Sequence, residues 1–358
     1  MLRALLFTTA PPAAALKHRG AEAGGLYASG AVTPSNMILD QKLREWATDP
    51  SRHRNSEAGV NAFAKAWNHG PFNRRIAAAM AAVEDSTSVN VAEAIRQLFG
   101  EHDWIDALIA AIGDEMRRDP FFVPPFRHLN SDVHQGLVVY EDGKCSIAMG
   151  VSGVAQLAAK KDGLRGATSI GFSGQVGIFK FIRSGGALLS LWEADPIGLD
   201  FSRATAGRCR KTGERQVSDG DIMTVDGRFQ SFVVEHARSN LLLLQATVKP
   251  DQAPLSVEYD SASHEFVGCS AADDSASRIQ MIATLLRKLD CTEAFPVLAA
   301  FLDSPNFFVR WHVMRELLGL DAAAALPYLQ QMATCDPHEE NKHAAQAVLD
   351  SLDLRKAA

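Results

Sequence analysis

The sequence predicts an α+β protein in which an N-terminal helical region, a central antiparallel β-sandwich or barrel and C-terminal α-helical repeats follow one another. Apolar residues recur at helical spacing as far as about residue 118, and short β-prone runs separated by Gly- and Asp-containing turns then replace them. Near the C-terminus two helical hairpins repeat with a period of 31 to 32 residues, since Pro296 recurs as Pro327 and Arg310 recurs as Lys342. A chain of 358 residues is long enough for two or three such domains.

Composition narrows the function classes. A net charge of −6 argues against a dedicated nucleic-acid binder, because phosphate binding depends on clustered Lys and Arg. No apolar run approaches the roughly 20 residues of a membrane helix. Pro11 and Pro12 interrupt the short apolar start, which makes a poor secretion signal. The five cysteines form no C-x-x-C pair and favour thiols that stay reduced. We therefore expect a cytoplasmic protein that binds neither nucleic acid nor a membrane.

A helical region is expected over residues 36–118, after an Ala-, Gly- and Pro-rich segment (1–35) that predicts no regular structure. Pro71 is placed for the first turn of a helix, and Gly100 is placed to end the next one. The run 119–125 (DPFFVPP) breaks helical continuity and indicates a domain boundary.

The β domain is expected over residues 119–270. Two β-prone runs, 136–140 and 145–151, flank an Asp-Gly turn, which is the pattern of a hairpin. Because no helical pattern separates the runs that follow, they favour an antiparallel sandwich or barrel. The basic run 208–215 (RCRKTGER) is interpreted as a solvated turn, and the alternative is a turn that receives an anionic ligand. Further strands are expected at 176–182, 187–192, 221–225, 231–236 and 241–248.

The stretch 220–234 (GDIMTVDGRFQSFVV) resembles the second motif of the cupin family, in which a Gly-Asp turn leads a strand into a Gly-x-x-His turn. The resemblance implies a jelly-roll barrel over about residues 120–260. Gln230 stands where the histidine is expected, and the His-x-His of the first motif is absent. Because Gln is a weak ligand for Fe, Zn or Mn, the resemblance implies a barrel that binds a small molecule or peptide without a metal cofactor. The pocket candidates are Trp192, Glu193, Arg208, Arg210, Gln230 and Glu235.

An alternative metal site lies upstream, in the run 127–135 (RHLNSDVHQ). Together with His236, the residues His128, Asp132 and His134 supply the ligands of a two-histidine, one-carboxylate site of the kind that holds Fe(II) or another divalent metal. The alternative function is then a metal-dependent oxygenase or related cupin enzyme that modifies a peptide or small molecule. The other interpretation is that these histidines are loop side chains hydrogen-bonded to the backbone.

The C-terminal hairpins (276–355) resemble HEAT repeats, in which two helices flank a turn that carries an Asp and a basic residue. The pairs Asp303 with Arg310 and Asp336 with Lys342 occupy these positions. The resemblance implies that each Asp accepts backbone N–H bonds at the start of the second helix, while the basic side chain ties adjacent repeats together. It also implies a protein or peptide partner. Two repeats leave both ends of a solenoid open, so we expect the array to pack against the barrel.

The sequence therefore favours a non-catalytic module, in which a barrel binds a small molecule or peptide and helical repeats bind another protein. A metal-dependent enzyme is the alternative, and a third hypothesis is a sensor whose barrel occupancy alters the docking of the helices. Metal analysis of the wild type and of His134→Ala and His236→Ala would discriminate between the first two. The sequence does not predict the ligand, the partner or the oligomeric state.

Overall fold

The computed structural model describes residues 34–101, 103–130, 134–157, 169–198 and 201–357 of the chain. Local signals set where its first helices begin. The Asp49 carboxylate accepts the Ser51 N–H (2.8 Å) at the start of the second helix. Pro71 stands in the first turn of the third, where its missing N–H is not needed. The five helices are α1 (Pro34–Thr48), α2 (Pro50–Asn68), α3 (Pro71–Ala81), α4 (Ser88–Gly100) and α5 (Asp103–Arg118).

Twelve strands follow in the described part of the chain, and the pairings between them are antiparallel. They are β1 (Arg127–Asn130), β2 (His134–Glu141), β3 (Cys145–Ser152), β4 (Ser169–Phe172), β5 (Val176–Arg183), β6 (Leu188–Glu193), β7 (Arg210–Gln216), β8 (Ile222–Asp226), β9 (Gln230–His236), β10 (Leu241–Val248), β11 (Leu255–Asp260) and β12 (Phe266–Ala271).

The strands form a sandwich of two layers. The first layer is a six-stranded sheet of order β1-β2-β3-β10-β5-β8. The second layer consists of two three-stranded sheets, β12-β11-β4 and β7-β6-β9. These two sheets adjoin at β4 and β9, where the Ser231 hydroxyl donates to the carbonyl oxygen of Gly171.

The outer face of the first layer packs against the N-terminal helices. Ile147 and Leu244 on the sheet and Ile95 and Phe99 on α4 are all fully buried in one apolar cluster. Lys180 is buried on the same face, and its ammonium donates to the carbonyl oxygen of Phe99 near the C-terminal end of α4. A cation at this position complements the negative end of the helix dipole, so Lys180 fixes α4 to the sheet.

Two further apolar clusters belong to the sandwich. Phe181 and Leu243 of the first layer meet Leu189 of the second layer and fill one end of the interior. On the outer face of the second layer, Val257 and Tyr259 are covered by the segments 194–198 and 201–209 that connect β6 to β7. This outer cover therefore consists largely of a loop, whereas the first layer is covered by helices.

The C-terminal array begins directly after β12. Helix α6 (Asp274–Lys288) packs on α8, and two helical hairpins follow it. The first hairpin pairs the short helix α7 (Phe295–Ala299) and the turn of 3₁₀ helix that continues it (Ala300–Asp303) with α8 (Phe307–Leu320). The second pairs α9 (Ala322–Cys335) with α10 (Glu339–Ala357).

A buried ion pair ties the two hairpins together. The Arg310 guanidinium donates to both carboxylate oxygens of Asp336 (2.9 and 2.8 Å), and Asp336 also accepts the His338 N–H (2.8 Å). Asp336 and Arg310 thus have the roles that the repeat resemblance implied. Lys342 does not, because it pairs with Glu339 of its own helix (2.8 Å). In the first hairpin the residue before α8 is Asn306, and it makes no side-chain cap.

The predicted order of a helical region, an antiparallel β domain and C-terminal helices is confirmed, and each of the predicted strands is present. The interpretation of residues 208–215 as a turn was wrong for most of the run, because residues 210–216 form β7. β7 lies at the edge of its sheet and is largely exposed, so its charged residues carry no alternating apolar pattern. Within the described residues, none of the helices is both long enough and apolar enough to cross a membrane.

Candidate functional site

One end of the sandwich holds a polar cavity, which we term the barrel cavity. On adjacent strands of the first layer, Gln245 lies opposite Ala148 and Thr247 lies opposite Ser146. Ile147 and Leu244 point to the helices, so these alternate positions face the interior. The cavity encloses about 1440 Å³ of space, including its open mouth. It is lined by Arg127, Leu129, Val138, Glu141, Ser146, Ala148, Gln175, Gln245, Thr247, Lys249, Gln252, Ala272, Asp273, Asp274, Ser275 and Arg278.

Several polar side chains of the cavity are available to a ligand. Ser146, Gln245 and Thr247 are half-buried, and their side chains have no hydrogen-bond partner within the described ranges. Gln175 is already engaged, since its amide donates to Gln252 (2.6 Å). A half-buried hydroxyl or amide without a protein partner is stabilised by a bound polar group or by water.

The charges around the cavity balance. Glu141 pairs with Arg127 (2.9 Å) and Lys249 (3.1 Å). Burial on its own would raise the pKa of Glu141, but the two hydrogen bonds outweigh it and hold the pKa below its ordinary value. Arg278 has no ion-pair partner in the described part of the chain and lies near Asp274 in the lining. With three basic and three acidic side chains, the cavity favours a neutral or zwitterionic ligand over a strongly charged one.

The mouth of the cavity is bounded by the first helix of the repeats. Asp273 caps α6 by accepting the Ser275 N–H (3.1 Å), and Asp274, Ser275 and Arg278 of the first turns complete the lining. The lining of the cavity therefore includes residues of both the barrel and the repeat array.

The six predicted pocket residues are not among those that line the cavity. Glu193, Arg210 and Gln230 are neighbours across β7-β6-β9, where Glu193 pairs with Arg210 (2.8 Å). Gln230 accepts the Asp226 N–H (3.3 Å) within its own turn. The structure brings these three residues together, at the end of the sandwich where Gly227 bonds to Gln175.

The other three predicted pocket residues lie apart. Trp192 is buried on the outer face of the second layer, where its ring N–H donates to Ser190 (2.8 Å). Arg208 pairs with Glu265 at an exposed position. Glu235 is half-buried on β9.

The candidate metal ligands are distributed over both layers. His128 is exposed on β1, and His134 on β2 places its Nδ1 3.0 Å from the Ser152 hydroxyl, while burial lowers its pKa. His236 is exposed on β9 in the opposite layer, and Asp132 lies outside the described residues. Within the described ranges no group of three or more His, Cys, Asp and Glu side chains is spaced to hold a metal ion. Because Asp132 is not described and His236 lies in the layer opposite His128 and His134, the predicted metal site stays a prediction.

A second concave surface, the repeat groove, lies between the outer face of the second layer and the repeats. Two adjoining cavities form it, and they share Leu255, Cys269, Gln280, Phe308 and His312. The first encloses about 640 Å³ and the second about 960 Å³, including their open sides. The rest of the lining is Phe201, Ser202, Arg203, Phe266, Phe307, Trp311, Arg315, Glu340, Asn341 and Ala344 at one end, and Ser270, Ala271, Ser277, Met281 and Thr284 at the other.

Burial shifts the pKa values of two titratable groups in the wall of the groove. Burial raises the pKa of the Cys269 thiol to about 11, and the neighbouring Glu340 carboxylate adds to the effect, so the nucleophilic thiolate is absent near neutral pH. Burial lowers the pKa of His312, whose Nε2 lies 3.0 Å from the carbonyl oxygen of Gln280. His312 is therefore a neutral donor that fixes α8 to α6.

Sequence reasoning missed the residues of both surfaces, although signals for some of them were present. Gln245 and Thr247 interrupt the apolar strand 241–248 at alternate positions, which is the pattern of an inward polar face. Phe308, Trp311 and Arg315 recur at spacings of three and four and so share one face of α8. No local pattern shows that this face meets β12.

A family model described as HEAT repeats matches residues 269–350. The match confirms the predicted C-terminal HEAT-like repeats and covers α6 to α10. No curated protein matches the chain.

Solved structures that resemble the chain include a cupin domain from Bordetella pertussis Tohama I (10% identity, 34% of this chain and 98% of that one, TM-score 0.21). They also include ectoine synthase from P. lautus (12% identity, 34% and 69%, TM-score 0.20). A third is a polyketide cyclase from Streptomyces resistomycificus (10% identity, 37% and 78%, TM-score 0.21). A cupin domain is thus among the similar structures, as the sequence resemblance led us to expect. Likenesses at this level identify neither a substrate nor a cofactor for this chain.

Proposed function

We propose that the chain is a ligand-binding module, in which the barrel cavity holds a small polar molecule and the helical repeats bind another protein. One observation carries this proposal: the inward polar positions of β3 and β10 open into a cavity whose mouth is bounded by the first turns of α6. Barrel and repeats therefore share one site, and a bound molecule would contact both.

The ligand class follows from the chemistry of the lining. Ser146 and Thr247 offer hydroxyls, and Gln245 offers an amide that both donates and accepts. Because the basic and acidic side chains balance, we propose a neutral or zwitterionic molecule that carries several hydroxyl, amide or amino-acid groups. Arg278 and Asp274 of α6 would contact opposite charges of a zwitterion.

The partner half of the proposal rests on the repeats. HEAT-like arrays stack helical hairpins into an extended surface that usually faces another protein. In this chain the surface is exposed along α6, where Met281, Leu285 and the C-cap residue Leu289 form an apolar stripe at i, i+4 and i+8 and are 55% to 66% exposed. Monomeric proteins seldom leave such a stripe open to water.

The cavity can be tested by filling it. Ala148 lies at its wall, so Ala148→Phe would place a ring in the space of the ligand while leaving the helix-facing side of β3 unchanged. Wild-type protein is examined by native mass spectrometry for a co-purified molecule, and its thermal stability is measured with sugars, polyols and amino acids at millimolar concentration. A ligand at about 100 times its Kd stabilises the folded state by about 2.7 kcal/mol.

The matched control is Val151→Phe on the same strand, because Val151 is 40% exposed and does not line the cavity. We expect wild type and Val151→Phe to carry or bind the molecule and Ala148→Phe to lose it. Wild-type protein that carries no adduct and is stabilised by none of these compounds would overturn the cavity half of the proposal.

A further inference from the structure

We infer that the repeat groove is a docking site for an extended acidic peptide of a partner protein, which inserts a bulky apolar side chain beside a carboxylate. The inference deepens the partner-binding half of the proposed function and rests on it, but it does not depend on the barrel cavity.

An arginine without a partner supplies the charge selectivity. Arg315 is half-buried in the wall of the groove, and its guanidinium makes no hydrogen bond or ion pair with the described residues. Arg203 lines the same end, and its exposed side chain likewise makes no ion pair with the described part of the chain. A guanidinium offers a rigid fork of donors that matches a carboxylate, so this end of the groove favours an acid.

Among the described residues that line this end of the groove, Glu340 is the one acidic side chain, and one of its oxygens is already engaged. Glu340 accepts the backbone N–H of Arg203 (3.1 Å), which attaches the loop after residue 200 to α10. The described lining of this end thus has two guanidinium groups and one carboxylate, a positive balance although the whole chain carries −6.

The site for the bulky apolar side chain of the peptide is formed by aromatic rings that neither apolar cluster buries completely. Phe266 of β12 and Phe307 and Phe308 of α8 are only partly buried, and they lie where the cluster of the second layer meets the cluster of the repeats. Phe308 packs against both clusters. A large aromatic or aliphatic side chain that enters between these rings would complete their burial, at roughly 25 cal/mol per Å² of apolar surface removed from water.

The shape of the groove selects an extended chain over a compact ligand. It continues from Arg203 and Arg315 past Phe308 and His312 to Met281 on α6, which is 65% exposed. Beyond Met281 the exposed stripe of α6 offers further apolar contact. A small molecule would occupy one of the two adjoining cavities, whereas a peptide segment runs through both.

The test uses the full chain and a phage library of random short peptides. Selected sequences are synthesised, and their affinity is measured by fluorescence anisotropy. We expect a consensus that joins a bulky apolar residue to Asp or Glu. Arg315→Gln should weaken binding about tenfold or more, because the charge-assisted hydrogen bonds from the guanidinium to the peptide carboxylate are lost. Ala344→Phe, which fills the groove from α10, should abolish binding.

Matched variants and a double-mutant cycle separate the docking site from general effects. Arg74→Gln removes an exposed arginine from α3, and Ala347→Phe adds a ring to an exposed position of α10, so neither should change the affinity. Replacing the peptide carboxylate by its amide should weaken binding to wild type and have little further effect on Arg315→Gln. Folding of every variant is checked by circular dichroism and thermal melting.

Three outcomes would overturn the inference in different ways. Peptides whose affinity is unchanged by both Arg315→Gln and Ala344→Phe would show that the groove is not the site, and a consensus without an acidic residue would show that it does not select a carboxylate. Either result would leave partner binding intact. A library that yields no binder would count against the partner half of the proposed function as well. None of these outcomes bears on the barrel cavity, which is tested by its own adduct and by Ala148→Phe.

Discussion

Both outer faces of the β sandwich are covered, but the two covers leave different amounts of space. On the first layer, the amphipathic helix α4 places Ile95 and Phe99 against Ile147 and Leu244, and all four side chains are fully buried. On the second layer, the loop segments 194–198 and 201–209 cover part of the sheet, while the repeats reach it through partly buried rings such as Phe308, and the groove remains between the sheet and the repeats.

The difference arises from how each cover is attached. A helix laid along a sheet fits its apolar stripe to alternate strand positions and closes the interface to the density of a protein interior. The repeat array is continuous with β12 and must also satisfy its own stacking through the ion pair of Arg310 and Asp336. The position of the array against the sheet is then set both by its continuity with β12 and by the stacking of its hairpins. The interface between the array and the sheet is therefore incompletely packed. The closed cover contributes a fully buried core, whereas the open one leaves the groove for which we propose a binding role.

The largest expected loss of stability comes from breaking the buried ion pair that ties the two hairpins of the repeat array together. Arg310→Met would leave the Asp336 carboxylate buried without its cation, since the two side chains are 6% and 3% exposed. We expect the free energy of unfolding to fall by about 3–5 kcal/mol, which is measured by urea denaturation. The control is Lys342→Met, whose exposed pair with Glu339 should contribute less than about 1 kcal/mol. Equal losses in the two variants would contradict the role assigned to the buried pair.

A core substitution between the first layer and α4 should lower the free energy of unfolding nearly as much but leave peptide binding to the groove unchanged. Ile147→Ala opens a cavity between the first layer and α4, and we expect a loss of about 2–5 kcal/mol. Its control is Val267→Ala on β12, where the side chain is 58% exposed and the loss should stay within about 0.5 kcal/mol. At temperatures where Ile147→Ala stays folded, its affinity for the groove peptide should equal that of the wild type. A change in that affinity would show that the two covers are coupled through the sandwich.

A smaller effect is expected at the loop that closes one end of the groove. Tyr259 is fully buried on β11, and its hydroxyl donates to the carbonyl oxygen of Ala206 (2.6 Å). Burial raises the pKa of Tyr259 to about 12, so the phenol stays protonated and remains a donor. Tyr259→Phe should reduce stability by about 0.5–1.5 kcal/mol and increase hydrogen exchange at residues 201–206. Unchanged exchange there would show that the loop is held by other contacts.

Local sequence patterns predicted some elements of both covers and of the sandwich but not others. Strands such as 241–248 and the hairpin around the Asp-Gly turn carry their own period-two pattern, and the repeats carry their own period, so local rules were sufficient for them. β7 was missed because an exposed edge strand needs no apolar alternation. The Gln230 substitution in the cupin-like motif was visible in the sequence, but its burial and its hydrogen bond to Asp226 were not.

The two candidate surfaces depend on long-range pairing instead. Ser146 and Thr247 are a hundred residues apart in the chain and meet because β10 lies beside β3. Arg203, Phe266 and Arg315 come from three separate elements of the fold. A single sequence shows the polar and aromatic residues at these positions, but it does not show which strands pair with each other. The two surfaces could therefore not be predicted.

The smallest expected effect is a pH dependence of the contact between α6 and α8. Burial lowers the pKa of His312 and outweighs the Glu316 carboxylate, which acts in the opposite direction. As the pH falls below the ordinary histidine value, the unfolded chain takes up a proton that the folded protein does not. The free energy of unfolding therefore decreases as the pH drops from about 6.5 toward the lower pKa of the folded state.

Urea denaturation of the wild type and of His312→Gln between roughly pH 5 and 8 tests this sign. The wild type should lose stability on acidification by a fraction of the loss expected for Arg310→Met, and His312→Gln should lose less over the same range. Asp336 does not interfere in this window. The hydrogen bonds from Arg310, from the His338 N–H and from Asn341 outweigh its burial and lower its pKa, so its contribution is lost only below about pH 4. If the two proteins show the same pH profile, His312 is not held in its neutral form, and the wall of the groove on α8 is more solvated than its packing against α6 implies.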